Sequence, residues 1–380
     1  MKNSIKYFFK ESLPSICITT IIITAIYCFI LSMANLKYSV SIEGSYSYAR
    51  YPSTYHGTII AMLEILCAIV PISNFAKYKN KNAVDVYASF PLSKKSFYVQ
   101  KLITGYIDIF IGFTIPYFAG VFVILIRGSD IDMIQYIPMY FLSILSSIPL
   151  YLIFSFFVIK ANRVIDSIFY IIFYAVITST ITAAINNIIT GGGVPGILYL
   201  LGEDSSLDFK NNFQSLLFPF NSLENISSYY STSLLSNLPG IEFSNFSYSL
   251  SMLVIAICIQ ILIGFLALLG ISNTINMSKN EDTEERSKTW FGYKTMIPVM
   301  YVTTLFSSTI ISVSSLLEDK MIMFSLFLVM TVIDFLVCMS LTMGLEFKSV
   351  KIPKSRWITL TSIFVASILI FFIPRLVFFD

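Results

Sequence analysis

Charge is what this 380-residue sequence has least of: 12% of its residues are Asp, Glu, Lys or Arg, while 56% are hydrophobic. Ordinary soluble chains carry about 25% charged residues, and too few remain here to cover a core of this size. The composition excludes a soluble cytoplasmic enzyme, a disordered chain and a nucleic-acid binder. A formal net charge of +3 implies no electrostatic partner by itself. Histidine is nearly absent, with His56 alone. The five cysteines (Cys17, Cys28, Cys67, Cys258 and Cys338) all lie in apolar runs without a CxxC pair, and read as small buried hydrophobes. A zinc site built from imidazoles or thiolates is therefore not expected. HExxH, GxSxG and the Walker P-loop are also missing. The chain is expected to bind no cofactor and not to be an enzyme. If ATP drives it, another subunit must bind the nucleotide.

What is present is long apolar runs. A bilayer core takes about 20 apolar residues per helix. Runs fall at roughly 14–34, 57–76, 102–126, 133–159, 167–189, 246–271, 296–316, 321–345 and 358–378. This predicts an all-α polytopic membrane protein of about nine transmembrane helices. The fourth run contains Pro138 and Pro149 and is expected to tilt or kink. The first follows Lys2, Lys6 and Lys10 like a signal peptide, but its apolar stretch is too long, so it reads as a retained span.

The basic residues orient the bundle. With the N-terminus inside, inner segments hold nineteen of the 25 lysines and arginines, and outer segments hold only Lys37, Arg50, Arg127, Lys210, Lys320 and Arg375. That asymmetry is the positive-inside pattern. Nine spans then place the C-terminus outside.

Several non-spanning segments carry pattern. Residues 1–13 set Ile5, Phe8, Phe9 and Leu13 at helical spacing against Lys2, Lys6 and Lys10: an interfacial amphipathic helix, or the basic flank of the first span. Residues 35–56 form a tyrosine-rich outer loop, read as an interfacial belt. Residues 190–245 are too apolar for a floppy outer loop and suggest short helices at the outer leaflet. Residues 272–295, with Glu281, Asp282, Glu284 and Glu285, read as a solvated connector.

The segment 77–101 is the most informative. Lys77, Lys79 and Lys81 form a basic membrane edge. Val84, Val86, Tyr87 and Phe90 form an apolar cluster interrupted by Asp85. Pro91 ends one element, and Ser93 is placed to N-cap the next, with Lys94 and Lys95 in its first turn. A short helix, a proline break and a second helix entering the third span make a stiff protrusion suited to passing motion from a soluble partner to a membrane helix.

This segment resembles the first cytoplasmic loop of bacterial ABC transporter permeases of the type-2 (exporter) class. The matching stretch is Asp85, Tyr87, Ser89-Phe90-Pro91-Leu92-Ser93-Lys94-Lys95, Phe97, Lys101 and Gly105, with Phe90 for the usual Leu and Lys94 for the usual Arg. The N-terminal amphipathic segment and the outer segment 190–245 fit that class's elbow helix and re-entrant helices.

The resemblance implies a six-span core over 14–271, a connector at 272–295 and three additional spans over 296–380, as in some clostridial relatives. Those relatives continue into an outer domain, whereas here Asp380 follows the last run closely. The expected function is export of a peptide, antibiotic, lipid or similar amphiphile through the bacterial plasma membrane. The expected partners are a separate ATPase subunit carrying ATP and Mg, and a second permease half, either identical or paralogous. Asp85, Tyr87, Phe90, Pro91, Leu92, Lys94 and Lys95 are the expected ATPase contacts.

The alternative is a secondary transporter using intramembrane carboxylates; a membrane-embedded enzyme lacks a catalytic constellation. Glu64, Asp108 and Asp334 sit within spans, where each costs about 2.5–3.5 kcal/mol on insertion scales and must face protein or water. Glu64 and Asp334 read equally as substrate-path or as packing groups. Asp108 shares a face with Gly105 and Gly112 and reads as a helix-packing contact. Thr178, Ser179, Thr182 and Asn186 stripe the fifth span, either as inter-helix glue or as a pore lining.

Overall fold

The computed structural model describes residues 2–34, 36, 39–43, 46–50, 55–80, 93–175, 222–234, 250–277, 292–314, 320–347 and 352–378. They divide into two compact units, one comprising 1–171 and 219–285, the other 172–218 and 286–380.

In the first unit the apolar runs become helices: α1 (Lys2–Met33), α2 (His56–Ala76, extended by a 3-10 turn, Lys77–Lys79), α3 (Lys94–Arg127), α4 (Tyr136–Lys160), α5 (Val164–Ala175), α6 (Ser222–Ser233) and α7 (Leu250–Met277). Five of them, α1 to α4 and α7, are long and apolar enough to cross a bilayer. The other runs of the nine-span reading fall on α5, described to Ala175 only, and on three helices of the second unit. Residues 2–13, read as an interfacial element, are the first turns of the same uninterrupted helix as the first span, with Pro14 inside it.

Local chemistry sets the ends. The side chain of Ser93 accepts the Ser96 amide at 3.3 Å and starts α3, as its position suggests. Gly128, with φ +66°, stops it in a conformation that side-chain-bearing residues avoid. Pro138 lies in the first turn of α4, where its missing donor costs nothing, but Pro149 interrupts the ladder mid-helix. Gly264 of α7 fits against that interruption: a Cβ there would stand 2.4 Å from the Pro149 Cβ.

Helix α4 is the centre of the unit, packed against α7, α2, α6 and α3. Its most apolar stretch is 61% buried, against 17% for α1, which packs mainly along α3. The α1–α3 contact is close because α3 presents glycines: a Cβ at Gly120 would fall 2.1 Å from the buried ring of Tyr27. Helix α6 lies within the expected outer segment and buries Leu223, Ile226 and Tyr230, with Leu234 buried just past its end.

One element departs from the all-α expectation. Residues 39–43 and 46–50 pair as an antiparallel hairpin, β1–β2, in the register Ser41↔Tyr48. Both stretches alternate polar residues with β-formers (Val40 and Ile42; Tyr46 and Tyr48) around Gly44-Ser45. That period-2 pattern is the physical reason this tyrosine-rich loop forms a hairpin.

The second unit contains α8 (Tyr293–Ser314), α9 (Lys320–Leu341), a π-helical turn (Thr342–Phe347) and α10 (Lys354–Phe378). Tyr301, Phe335 and Phe364 link the three helices ring to ring, at 6.2 and 5.5 Å. Arg356 donates through Nε and Nη2 to Glu346 Oε1 at 2.9 and 2.6 Å, and through Nη2 to the Lys294 carbonyl at 2.7 Å. One guanidinium thereby ties the start of α8, the π turn and the start of α10.

Candidate functional site

Of the residues expected to meet a partner, Asp85, Tyr87, Phe90, Pro91 and Leu92 lie outside the described residues, as do Thr178, Ser179, Thr182 and Asn186. Lys94 and Lys95 occupy the exposed first turn of α3. What the structure describes is the two flanks of residues 81–92, together their root: the α2 end with its 3-10 turn, and the start of α3.

The root is built on rings. Phe97 of α3 meets Tyr78 edge-on at 4.8 Å and Phe8 of α1 at 5.4 Å. Phe75 of α2 stacks on Tyr98 at 5.7 Å. Phe8, Phe75 and Phe97 are buried. Such edge-to-face and offset pairs add roughly 0.5–1.5 kcal/mol each beyond their burial. Both flanks of the segment are thus fixed to one another and to the start of α1.

Charge reinforces the same junction. Glu11 of α1 accepts from Lys77 Nζ at 2.7 Å and from Lys101 Nζ at 3.2 Å. The Lys101 side chain is only 5% exposed, and its ammonium lies 4.5 Å from the centre of the Phe8 ring and 5.4 Å from that of Tyr78. A buried ammonium needs its partner, so Glu11 is what lets Lys101 sit there charged. Lys79 is not part of an exposed basic edge with Lys77. Its Nζ is turned inward, donating to the carbonyls of Val158 and of Ala161 (2.8 Å) and to Ser167 Oγ. Val158 and Ala161 close the C-terminal end of α4, where unpaired carbonyls and the helix dipole favour a cation. Lys79 therefore joins the root to the α4–α5 junction. The sequence shows these lysines as a run; their separate destinations depend on residues 66 to 90 positions away.

The carboxylates within spans sort differently. Asp108 is buried and accepts from Ser12 Oγ of α1 at 3.3 Å, with Asn74 of α2 beside it. A Cβ at Gly105, one turn earlier, would meet Tyr151 Oη at 2.3 Å. The helix-packing reading of Asp108 and its glycine face is what the geometry shows. Glu64 is half-buried on α2 and Asp334 half-buried on α9 of the second unit, near Tyr301 and Cys338. A further polar feature was not read from the sequence: Ser143, Ser146, Ser147 and Ser155 are fully buried along α4, where Tyr106 Oη donates to the Ile144 carbonyl at 3.1 Å. Its signal, serines four and then eight residues apart in an apolar run, is present at 143, 147 and 155.

Among the described residues no three His, Cys, Asp or Glu side chains are grouped as metal ligands. The arrangement at the root braces the end of α2 and the start of α3 against α1 and the end of α4. These helices define a polytopic helical membrane protein. Comparison of the chain with protein families, with curated proteins and with solved structures finds no match.

Proposed function

We propose that this chain is the membrane-spanning permease subunit of an ABC transporter of the type-2 exporter class, driven by a separate ATPase subunit that carries ATP and Mg. The observation that carries the proposal is the root: both flanks of residues 81–92 are joined by rings and ion pairs to three helices and, through Lys79, to a fourth. A connector between two spans needs no such bracing, whereas a lever does.

In this reading Tyr87, Phe90 and Leu92 enter a cleft of the ATPase beside Pro91 and Asp85, with Lys94 and Lys95 at the rim. Closure of the ATPase on ATP displaces the segment. The displacement reaches α1 through Phe97 and Phe8, and α4 through Lys79. A cavity shared with a second permease half then changes its access. The chain crosses the bacterial plasma membrane nine times, with the lysine-rich end cytoplasmic and the C-terminus outside. The cargo class is a peptide, antibiotic, lipid or similar amphiphile.

The test is co-purification from native membranes. A protein with a Walker motif accompanies the wild-type chain, and at least tenfold less accompanies the triple variant Tyr87→Ala, Phe90→Ala, Pro91→Ala of equal expression. Transport driven by an ion gradient in liposomes holding this chain alone contradicts the proposal and favours a carrier using Glu64 or Asp334.

A further inference from the structure

Two helices of the first unit are longer than a bilayer needs. At 1.5 Å per residue, α1 spans about 48 Å and α3 about 51 Å, against about 30 Å of hydrocarbon. Both stay apolar to their far ends, with Ile30 and Leu31 closing α1 and Leu125 and Ile126 closing α3 before Arg127. The surplus therefore falls at the ends carrying Lys6, Lys10, Lys94 and Lys95; Lys10 and Lys6 lie about 6 and 12 Å beyond the hydrocarbon, within side-chain reach of the headgroups, and Lys94 and Lys95 lie farther out.

Among the described residues, the carboxylates at this end of the first unit are already engaged. Glu11 is held by Lys77 and Lys101, and Asp166 lies near Lys79. Lys6 and Lys10 are exposed, one helical turn apart on one face of α1, and have no partner among the described residues. Tyr7 between them is 55% exposed, an aromatic at the depth where interfacial tyrosines sit. Lys77, with its side chain 59% exposed, is held against Glu11, the residue after Lys10. Lys6 and Lys10 are thus two exposed cations on one face of α1 with no acid paired to them among the described residues.

We infer that this end of the first unit binds the phosphate headgroup of an anionic phospholipid, with Lys6 and Lys10 as the contacts. The inference rests on the membrane setting and on α1, not on the 81–92 segment or on an ATPase. Each lysine near an anionic surface strengthens binding about fivefold.

The experiment titrates fluorescent phosphatidylglycerol into the purified full-length chain in neutral detergent, with fluorescent phosphatidylcholine as control. Phosphatidylglycerol binds more tightly to wild type. Lys6→Gln with Lys10→Gln weakens that binding about 25-fold without changing helicity or gel-filtration profile, and Lys6→Arg with Lys10→Arg restores it. Equal binding of the two lipids, or unaltered phosphatidylglycerol binding by the glutamine variant, overturns the inference. So does displacement of the lipid by inorganic phosphate at equal concentration, which assigns the lysines to a free anion. Unaltered lipid binding together with loss of a co-purifying protein likewise overturns it, assigning them to a protein partner.

Discussion

The two ends of the first unit are fastened by different physics. At the end that flanks residues 81–92, ion pairs add to the packed rings: Glu11 lies between Lys77 and Lys101. At the opposite end the fasteners are fit and neutral acceptors. Gly120 admits the ring of Tyr27, Tyr117 Oη donates to the Tyr136 carbonyl at 2.7 Å, and His56 Nε2 meets the Ser227 carbonyl at 2.7 Å. Arg127, the cation there, donates to the carbonyls of Leu31 and Ala34 at 2.6 and 2.8 Å rather than to an acid. Close packing is stiff and insensitive to its surroundings. Ion pairs in a wet interface respond to salt and to neighbouring charge. Among the described residues, one end thus carries a salt-sensitive ion-pair component that the other does not show.

Substitutions sharpen this contrast. The largest effect is expected for Gly120→Val, whose side chain collides with the buried Tyr27 ring; a loss of about 3 kcal/mol in a thermal or denaturant measurement checks it. Glu11→Gln leaves the 5%-exposed Lys101 ammonium without its carboxylate and is expected to cost nearly as much, about 2–3 kcal/mol, reduced from the fully buried case because Glu11 is itself 21% exposed. Lys79→Met removes the donor from two helix-end carbonyls; about 2 kcal/mol is expected, together with faster amide exchange around 158–167. Arg127→Ala, at an exposed site, should cost only about 1 kcal/mol. The smallest effect comes from salt: one molar salt should speed exchange around 8–12 and 77–80 while leaving 31–36 and 124–136 unchanged. Equal salt sensitivity at both ends breaks the comparison.

Much of the helical scaffold was legible because apolar length is a local signal. The runs 57–76 and 133–159 match α2 and α4 to within a few residues, and Ser93 capped α3 where it was expected. The hairpin 39–50 carried its own period-2 pattern, but its tyrosines read equally as an interfacial belt. The root of the 81–92 segment was legible as a place and not as a mechanism. Lys77, Lys79 and Lys101 look alike in a sequence, and only the fold sends Lys77 and Lys101 to Glu11 and Lys79 to the end of α4. Asp108 was read correctly because its glycine face is a local pattern. The serines of α4 escaped because hydroxyls in a span are ordinary until their burial is known.

The most direct measurement places a photo-crosslinking amino acid at Phe90 in the chain expressed in its own membranes and identifies what it captures by mass spectrometry. The account predicts an adduct with a polypeptide bearing a Walker motif, formed on the cytoplasmic side and diminished when Leu92→Asp is added. Adducts with lipid alone, or labelling of the same position by an impermeant reagent supplied from outside the cell, contradict it.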